Sequence, residues 1–477
     1  YFHQVGKNQS EDVLVFEDKI NGLRNFSASV TDDEQYLLVY GSESTSGTSL
    51  MIKDMINPKS NFITIVDNFE NNFGVVHNEK NIFYVHTDKN APKYQLLKVD
   101  LNNPNDKNWT TIIPEGVDLL ESVSISDGKF VALYLKDVSS KMMVHLLDGK
   151  LDHEIALPGL CKVEGLSTDK DDSLLFFSYN TFTAPASIYQ YSINTKDLKE
   201  TFKPVIDFKT EDYETKQVFY SSKDGAKVPM FITHKKGIKL DGNNPCFLFG
   251  YGGFNSYYAP EFRIDRAVFL EQGGVYAVPG LRGGGEYGEE WHKAGIKCKK
   301  QNVFDDFIAA AEYLIKEKYT SSTKLAINGR SNGGLLIGAV MTQRPDICKV
   351  AIPTVGVLDM LRYHKFTIGW AWASDYGTSE NKEEFECLLK YSPLHNIKPA
   401  EYPATLVTTG DHDDRVVPAH SFKFIATLQE KQQGANPTLV RIDVNAGHGA
   451  GKPTAKQIEE VADIWAFVFY NLGVDYK

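Results

Sequence analysis

The hydrophobic rhythm of the chain changes once, between residues 200 and 215, and that change limits the possible folds more than any other feature. Upstream, short alternating runs at 35–40, 81–86, 130–135 and 173–179 have the two-residue period of half-buried strands. The polar turns that precede them, near Asp33, Glu79, Asp127 and Asp171, lie 46, 48 and 44 residues apart. That is the spacing of a four-stranded propeller blade. Further strand-like runs at 50–53 and 94–99 fall between the repeats, and 12–16 reads as strand-like near the start. About four blades are expected, with a β-sandwich of coincidental spacing as the competing reading.

Downstream the pattern alternates strand with helix. Apolar runs at 245–249, 274–279, 324–328, 350–355, 404–409 and 439–444 read as buried strands. Helical periodicity covers 263–271, 304–318, 335–342, 418–433 and 454–470. Such alternation predicts a doubly wound, mostly parallel sheet with helices on both faces. The expected division is therefore 1–205 for the blades and 206–477 for the α/β domain. Lys203-Pro204 and the charged stretch 209–214 serve as the linker.

Composition narrows the function. Fifty-one Lys and Arg against 62 Asp and Glu give a net charge of −11 with no long basic run, which argues against a nucleic-acid partner. No stretch approaches the ~18 apolar residues of a membrane span. The five cysteines, Cys161, Cys246, Cys298, Cys348 and Cys387, show neither CxxC nor Cys/His spacing, so no disulfide framework, zinc site or other metal is expected. A reducing, cytoplasmic setting fits that pattern. The chain opens at Tyr1 without an initiator Met, which suggests a longer parent chain.

Gly329-Arg330-Ser331-Asn332-Gly333 lies where an apolar strand meets an apolar helix, the context a nucleophile elbow requires. A serine hydroxyl is a weak nucleophile until a base takes its proton, and a carboxylate must orient that base. Both follow in the order Ser, Asp, His. Gly410-Asp411-His412-Asp413-Asp414-Arg415-Val416 comes after the strand at 404–409, and Ala446-Gly447-His448-Gly449 after the strand at 439–444. Position alone does not choose between Asp413 and Asp414. His412 and His420 are rival histidines, and Asp411-His412-Asp413 read as a metal site lacks a second His at ligand spacing. For a developing oxyanion, the Asn332 amide is one candidate donor and the Tyr251 phenol, in the turn Phe249-Gly250-Tyr251-Gly252-Gly253-Phe254, a second.

These motifs, together with Leu281-Arg282-Gly283-Gly284-Gly285-Glu286-Tyr287-Gly288 and 446–453, resemble the prolyl oligopeptidase family, closely through 215–473 and more weakly through the first 200 residues. The resemblance implies an α/β-hydrolase catalytic domain plus an incomplete β-propeller that lacks the family's first blades. It implies a triad of Ser331, Asp413 and His448, and an oxyanion hole of Tyr251 and the Asn332 amide. It maps a proline pocket onto Phe254, Val357, Trp372, Tyr376 and Val416, with Trp372 stacking on the proline ring and Trp370 a decoy. Arg415 corresponds to a residue that binds a substrate carbonyl.

The function so implied is a cofactor-free serine endopeptidase that hydrolyses short peptides on the carboxyl side of proline through an acyl-enzyme, acting as a monomer on peptides alone. A related peptidase of the acylaminoacyl or oligopeptidase B type, or an esterase, is the alternative. A non-enzymatic propeller interaction protein is the third. Transfer of the acyl group to an amine instead of water is left open by the sequence.

Overall fold

The computed structural model describes residues 1–57 and 59–476. Four consecutive four-stranded sheets occupy the N-terminal part. Their strands are Asn25–Val30, Tyr36–Ser42, Ser49–Asp54 and Ile63–Val66; Phe73–Glu79, Ile82–Thr87, Gln95–Asp100 and Thr110–Ile113; Leu119–Ser126, Lys129–Lys136, Ser139–His145 and Leu151–Ile155; Lys162–Ser167, Leu174–Asn180, Ser187–Ser192 and Leu198–Phe202. Within each sheet the strands neighbour one another in chain order. Four blade-like sheets are therefore present among the described residues, and each predicted run coincides with a strand to within one residue. The exception is 12–16, which contributes only an isolated bridge between Phe2 and Val13.

The apolar alternate positions of consecutive blades pack together. Leu38, Leu50, Ile52, Phe83 and Val85 form one buried cluster, and Val131, Leu133, Val144, Leu175 and Phe177 another. Two compact units result, residues 1–87 with 98–109, and residues 88–97 with 110–477. Val138 and Phe182, from the third and fourth blades, join an apolar cluster of the α/β sheet, so the second unit contains both blade and sheet residues.

The α/β sheet has eight strands: β1 Tyr213–Ser221, β2 Lys227–Lys235, β3 Cys246–Phe249, β4 Val275–Pro279, β5 Leu325–Arg330, β6 Val350–Thr354, β7 Ala404–Gly410 and β8 Thr438–Asp443. Their spatial order is β1-β2-β4-β3-β5-β6-β7-β8. From β4 to β8 every pairing is parallel, while the β1–β2 hairpin joins antiparallel. That hairpin departs from the expected linker, since Tyr213 and Glu214 belong to β1. Strands β3, β4, β6 and β7 are buried along their whole length, as apolar runs covered on both faces should be. β8 is not: as the edge strand it is half-exposed.

Helices α1 (Ile264–Glu271), α2 (Glu289–Lys293), α3 (Gln301–Lys316), α4 (Asn332–Gln343), α5 (Ala373–Tyr376), α6 (Lys382–Tyr391), α7 (Ala419–Lys431) and α8 (Thr454–Leu472) complete the domain. α3, α4 and α7 share one buried cluster, and α1 and α8 another. Phe269 and Trp465 stack there at 4.9 Å between centroids. Each fully buried side chain of this size contributes about 1.5–3 kcal/mol.

Cys298 and Cys387 form a disulfide with their Cα atoms 5.1 Å apart, which corrects the expectation that no cysteines pair. The two are 89 residues apart in sequence, and only the packing of the 297–299 turn against α6 brings them together. The other three cysteines are buried thiols.

Candidate active site

In an open parallel sheet, sites form beyond the C-terminal strand ends where the order of winding reverses. Here the reversal falls between β3 and β5, which pair directly. The Tyr251 turn leaves β3 and Ser331 leaves β5, so the two elements begin as neighbours. Ser331 has φ 59° and ψ −114°, a backbone conformation that strains a non-glycine residue and marks the sharp elbow. The elbow closes because Gly329 and Gly333 lack side chains: a Cβ on either would strike the Gly250 carbonyl. Asn332 opens α4, where the first N–H groups of a helix have no partner within the helix.

Asp413, not Asp414, faces the histidine. Its Oδ2 lies 2.6 Å from His448 Nδ1, and its Oδ1 accepts from the Arg415 and Val416 amides at 3.0 and 2.8 Å. Asp413 is 2% exposed, whereas Asp414 is exposed. Both rival histidines are engaged elsewhere. His412 is exposed and pairs with Asp411, and His420 is buried with its Nδ1 accepting from the Asp359 amide at 3.0 Å. Burial pulls His420 down to about 4. Among the described residues no hydrogen bond joins Ser331 Oγ to His448, a contact that tightens in many enzymes only when substrate binds.

The His448 loop is tied down at both ends. Its Ala446 carbonyl accepts from the His412 amide at 3.0 Å. Lys452 pairs with Asp443, at the end of β8, and with Glu460 of α8 at 2.8 Å. Arg330, beside the serine, donates to the His448 carbonyl.

The Tyr251 phenol is half-buried, and burial, reinforced by nearby Tyr258 and Asp375, pushes its pKa up against the opposing charge of Arg415. It therefore stays a proton donor. The Asn332 side chain bridges two loops, its Nδ2 donating to the Tyr251 carbonyl at 2.6 Å and its Oδ1 accepting from Tyr376 Oη at 2.9 Å. Val357, Trp372, Tyr376 and Val416 lie in one buried cluster with Phe254 packed against it. The Phe254 and Tyr376 rings meet edge to face at 5.3 Å, and Trp372 is backed by Tyr363 in a parallel stack at 6.3 Å. Trp370 is half-buried and Arg415 exposed.

Sequence reading passed over the layer behind these residues. Asp375, His292 and Lys300 are buried there, held together across separations no local motif encodes.

An eight-stranded α/β sheet with a strained serine at its switch point, preceded by propeller blades, is the architecture of a propeller-bearing α/β-hydrolase. Residues 260–475 match the prolyl oligopeptidase family, and residues 1–203 match its N-terminal beta-propeller domain. The chain is 48% identical over 476 residues to a prolyl endopeptidase of Elizabethkingia miricola, covering 99% of this chain and 67% of that protein. It is 36% identical to a dual function macrocyclase-peptidase of Galerina marginata, covering 100% of this chain and 67% of that one. A solved structure from a study of two prolyl endopeptidases superposes with a TM-score of 0.94 at 42% identity, over 99% of this chain and 70% of its own. The chain belongs to the prolyl oligopeptidase family.

Proposed function

We propose that this chain carries the catalytic apparatus of a serine endopeptidase that hydrolyses short peptides on the carboxyl side of proline. The observation that carries the reading is the buried Asp413 carboxylate on His448 Nδ1 at 2.6 Å, in a family whose relatives are named prolyl endopeptidases. Such a carboxylate fixes the tautomer that leaves Nε2 free to take a proton.

In this reading Ser331 Oγ attacks the carbonyl carbon of proline, and its proton passes to His448 Nε2. The oxyanion accepts hydrogen bonds from Tyr251 Oη and the Asn332 amide. Collapse of the tetrahedral intermediate breaks the C–N bond, and the leaving amine takes the proton from His448. Water then repeats the sequence and frees Ser331. The proline ring lies on Trp372 among Phe254, Val357, Tyr376 and Val416, all aromatic or apolar. A cationic side chain would find no carboxylate among those five, which disfavours cleavage after Lys or Arg. Arg415 binds a preceding carbonyl as a fixed multi-donor.

The working division is 1–205 for the blades and 206–477 for the catalytic domain, and the protein acts as a monomer on proline-containing peptides. Among the described residues no helix is long and apolar enough to cross a membrane. The sequence reads as cytoplasmic, whereas a Cys298–Cys387 bridge favours an oxidising compartment. Thiol trapping of the protein from its own cells separates the two.

Comparing Gly-Pro, Arg and acetyl-Ala chromogenic substrates tests the function. The expected order places the Gly-Pro substrate first in kcat/KM by at least about 100-fold, the gap expected when the others leave a shaped pocket poorly filled. Preference for Arg or acetyl-Ala overturns the reading.

A further inference from the structure

The Tyr251–Asn255 turn carries both a proposed oxyanion donor and a wall of the proline pocket, yet little regular structure supports it. Its nearest ladder contact is the isolated bridge Gly253–Ser256. Phe254 and Asn255 have φ of 56° and 53°, in the left-handed region that non-glycine residues avoid. Strain of that kind persists only where surrounding contacts dictate it.

Those contacts come from buried charge. Lys300 Nζ donates to the Gly252 carbonyl at 2.7 Å. The Phe254 amide donates to Asp375 Oδ1 at 3.0 Å, and His292 Nε2 lies 3.0 Å from the same oxygen. Asn255 Nδ2 donates to Glu289 Oε1 at 3.0 Å, and Glu289 Oε2 lies 3.7 Å from His292 Nδ1. All four ionisable side chains are buried. The two buried anions face two buried cations when His292 carries its proton, and the exposed Lys293 ammonium also lies 3.9 Å from Glu289. Burial opposes that proton, but the hydrogen bond to Asp375 and the nearby Glu289 carboxylate outweigh it and push His292 up to about 9.

Asp375 belongs to α5 and stands immediately before Tyr376, whose ring faces Lys300 at 5.5 Å and Phe254 at 5.3 Å. The turn bearing Lys300 is in turn bonded to α6 through Cys298–Cys387. One carboxylate thus connects both ends of the pocket: the segment carrying Trp372 and Tyr376, and the turn carrying Tyr251 and Phe254.

We infer that Asp375 is a positioning residue which, with His292 and Lys300, sets the Tyr251 turn, so that proline recognition and oxyanion stabilisation are locked to one geometry. This rests on the post-proline peptidase reading above. A displacement of about 1 Å at such a turn is enough to lower rate some 100-fold.

The test measures kcat and KM of the whole protein and its variants on matched Gly-Pro and Gly-Ala substrates. Asp375→Ala is expected to lower the Pro-to-Ala ratio of kcat/KM at least tenfold. Asp375→Asn, which keeps an acceptor for the Phe254 amide, is expected to recover part of it. Lys300→Met, acting on the carbonyl next to Tyr251, is expected to lower kcat more than it raises KM; it also serves if Asp375→Ala fails to fold. Folded variants with an unchanged Pro-to-Ala ratio and unchanged kcat overturn the inference. A wild-type protein that cleaves neither substrate refutes the peptidase reading itself, and the inference falls with it.

Discussion

The two sides of the reaction centre are built in opposite ways. Ser331 leaves β5, an interior strand, and sits at an elbow that admits no Cβ at Gly329 or Gly333. His448 follows β8, the half-exposed edge strand, in a loop held by side-chain ties at Lys452 and Asp413. Packing fixes the proposed nucleophile, since close-packed backbone has nowhere to move. Polar contacts hold the proposed base, largely buried at Asp413, Lys452 and Asp443, and each depends on both of its partners staying in place. In the proposed reaction the His448 loop is the element that presents the imidazole to Ser331.

The largest effect should come from the carboxylate that sets the histidine. Asp413→Asn is expected to lower kcat by about 10⁴-fold while leaving the fold intact, because the amide favours the wrong imidazole tautomer. Asp414→Asn, at an exposed neighbour, should change kcat less than about twofold. Steady-state kinetics on a Gly-Pro substrate checks both, and equal losses would break the distinction between them.

A smaller effect should follow from loosening the loop. Lys452→Met removes its ties to Asp443 and Glu460. The variant should lower kcat about tenfold, an effect of position and not of chemistry, with substrate binding little changed. Hydrogen exchange should rise across 445–453 and stay unchanged at the 329–334 elbow. A uniform rise in both would show that the two sides are not built differently.

How much of this could be read in the sequence depended on the range of the interactions. The blades and the β3 to β8 alternation were legible because strand and helix periods are local, and the nucleophile elbow because its glycines adjoin Ser331. Only Tyr213 and Glu214 of the β1–β2 hairpin fall in the expected linker, and the rest carries no sequence assignment, although Asp224-Gly225 between two alternating runs is a turn signal for it. Burial in β8 was over-read because an apolar run does not say whether its strand lies at an edge. The choice between Asp413 and Asp414 depended on which one turned inward. Cys298–Cys387 and the Asp375, His292 and Lys300 group span 89 and 83 residues, so only the folded chain brings their members together.

The central claim is that Ser331 is the nucleophile of a post-proline peptidase. Treating the folded wild-type protein with a fluorophosphonate, mapping the adduct by mass spectrometry and assaying Ser331→Ala on a Gly-Pro substrate tests it most directly. The account predicts a single adduct on Ser331 and no turnover above background in Ser331→Ala of unchanged melting temperature. An adduct elsewhere, or turnover retained by that variant, would contradict it.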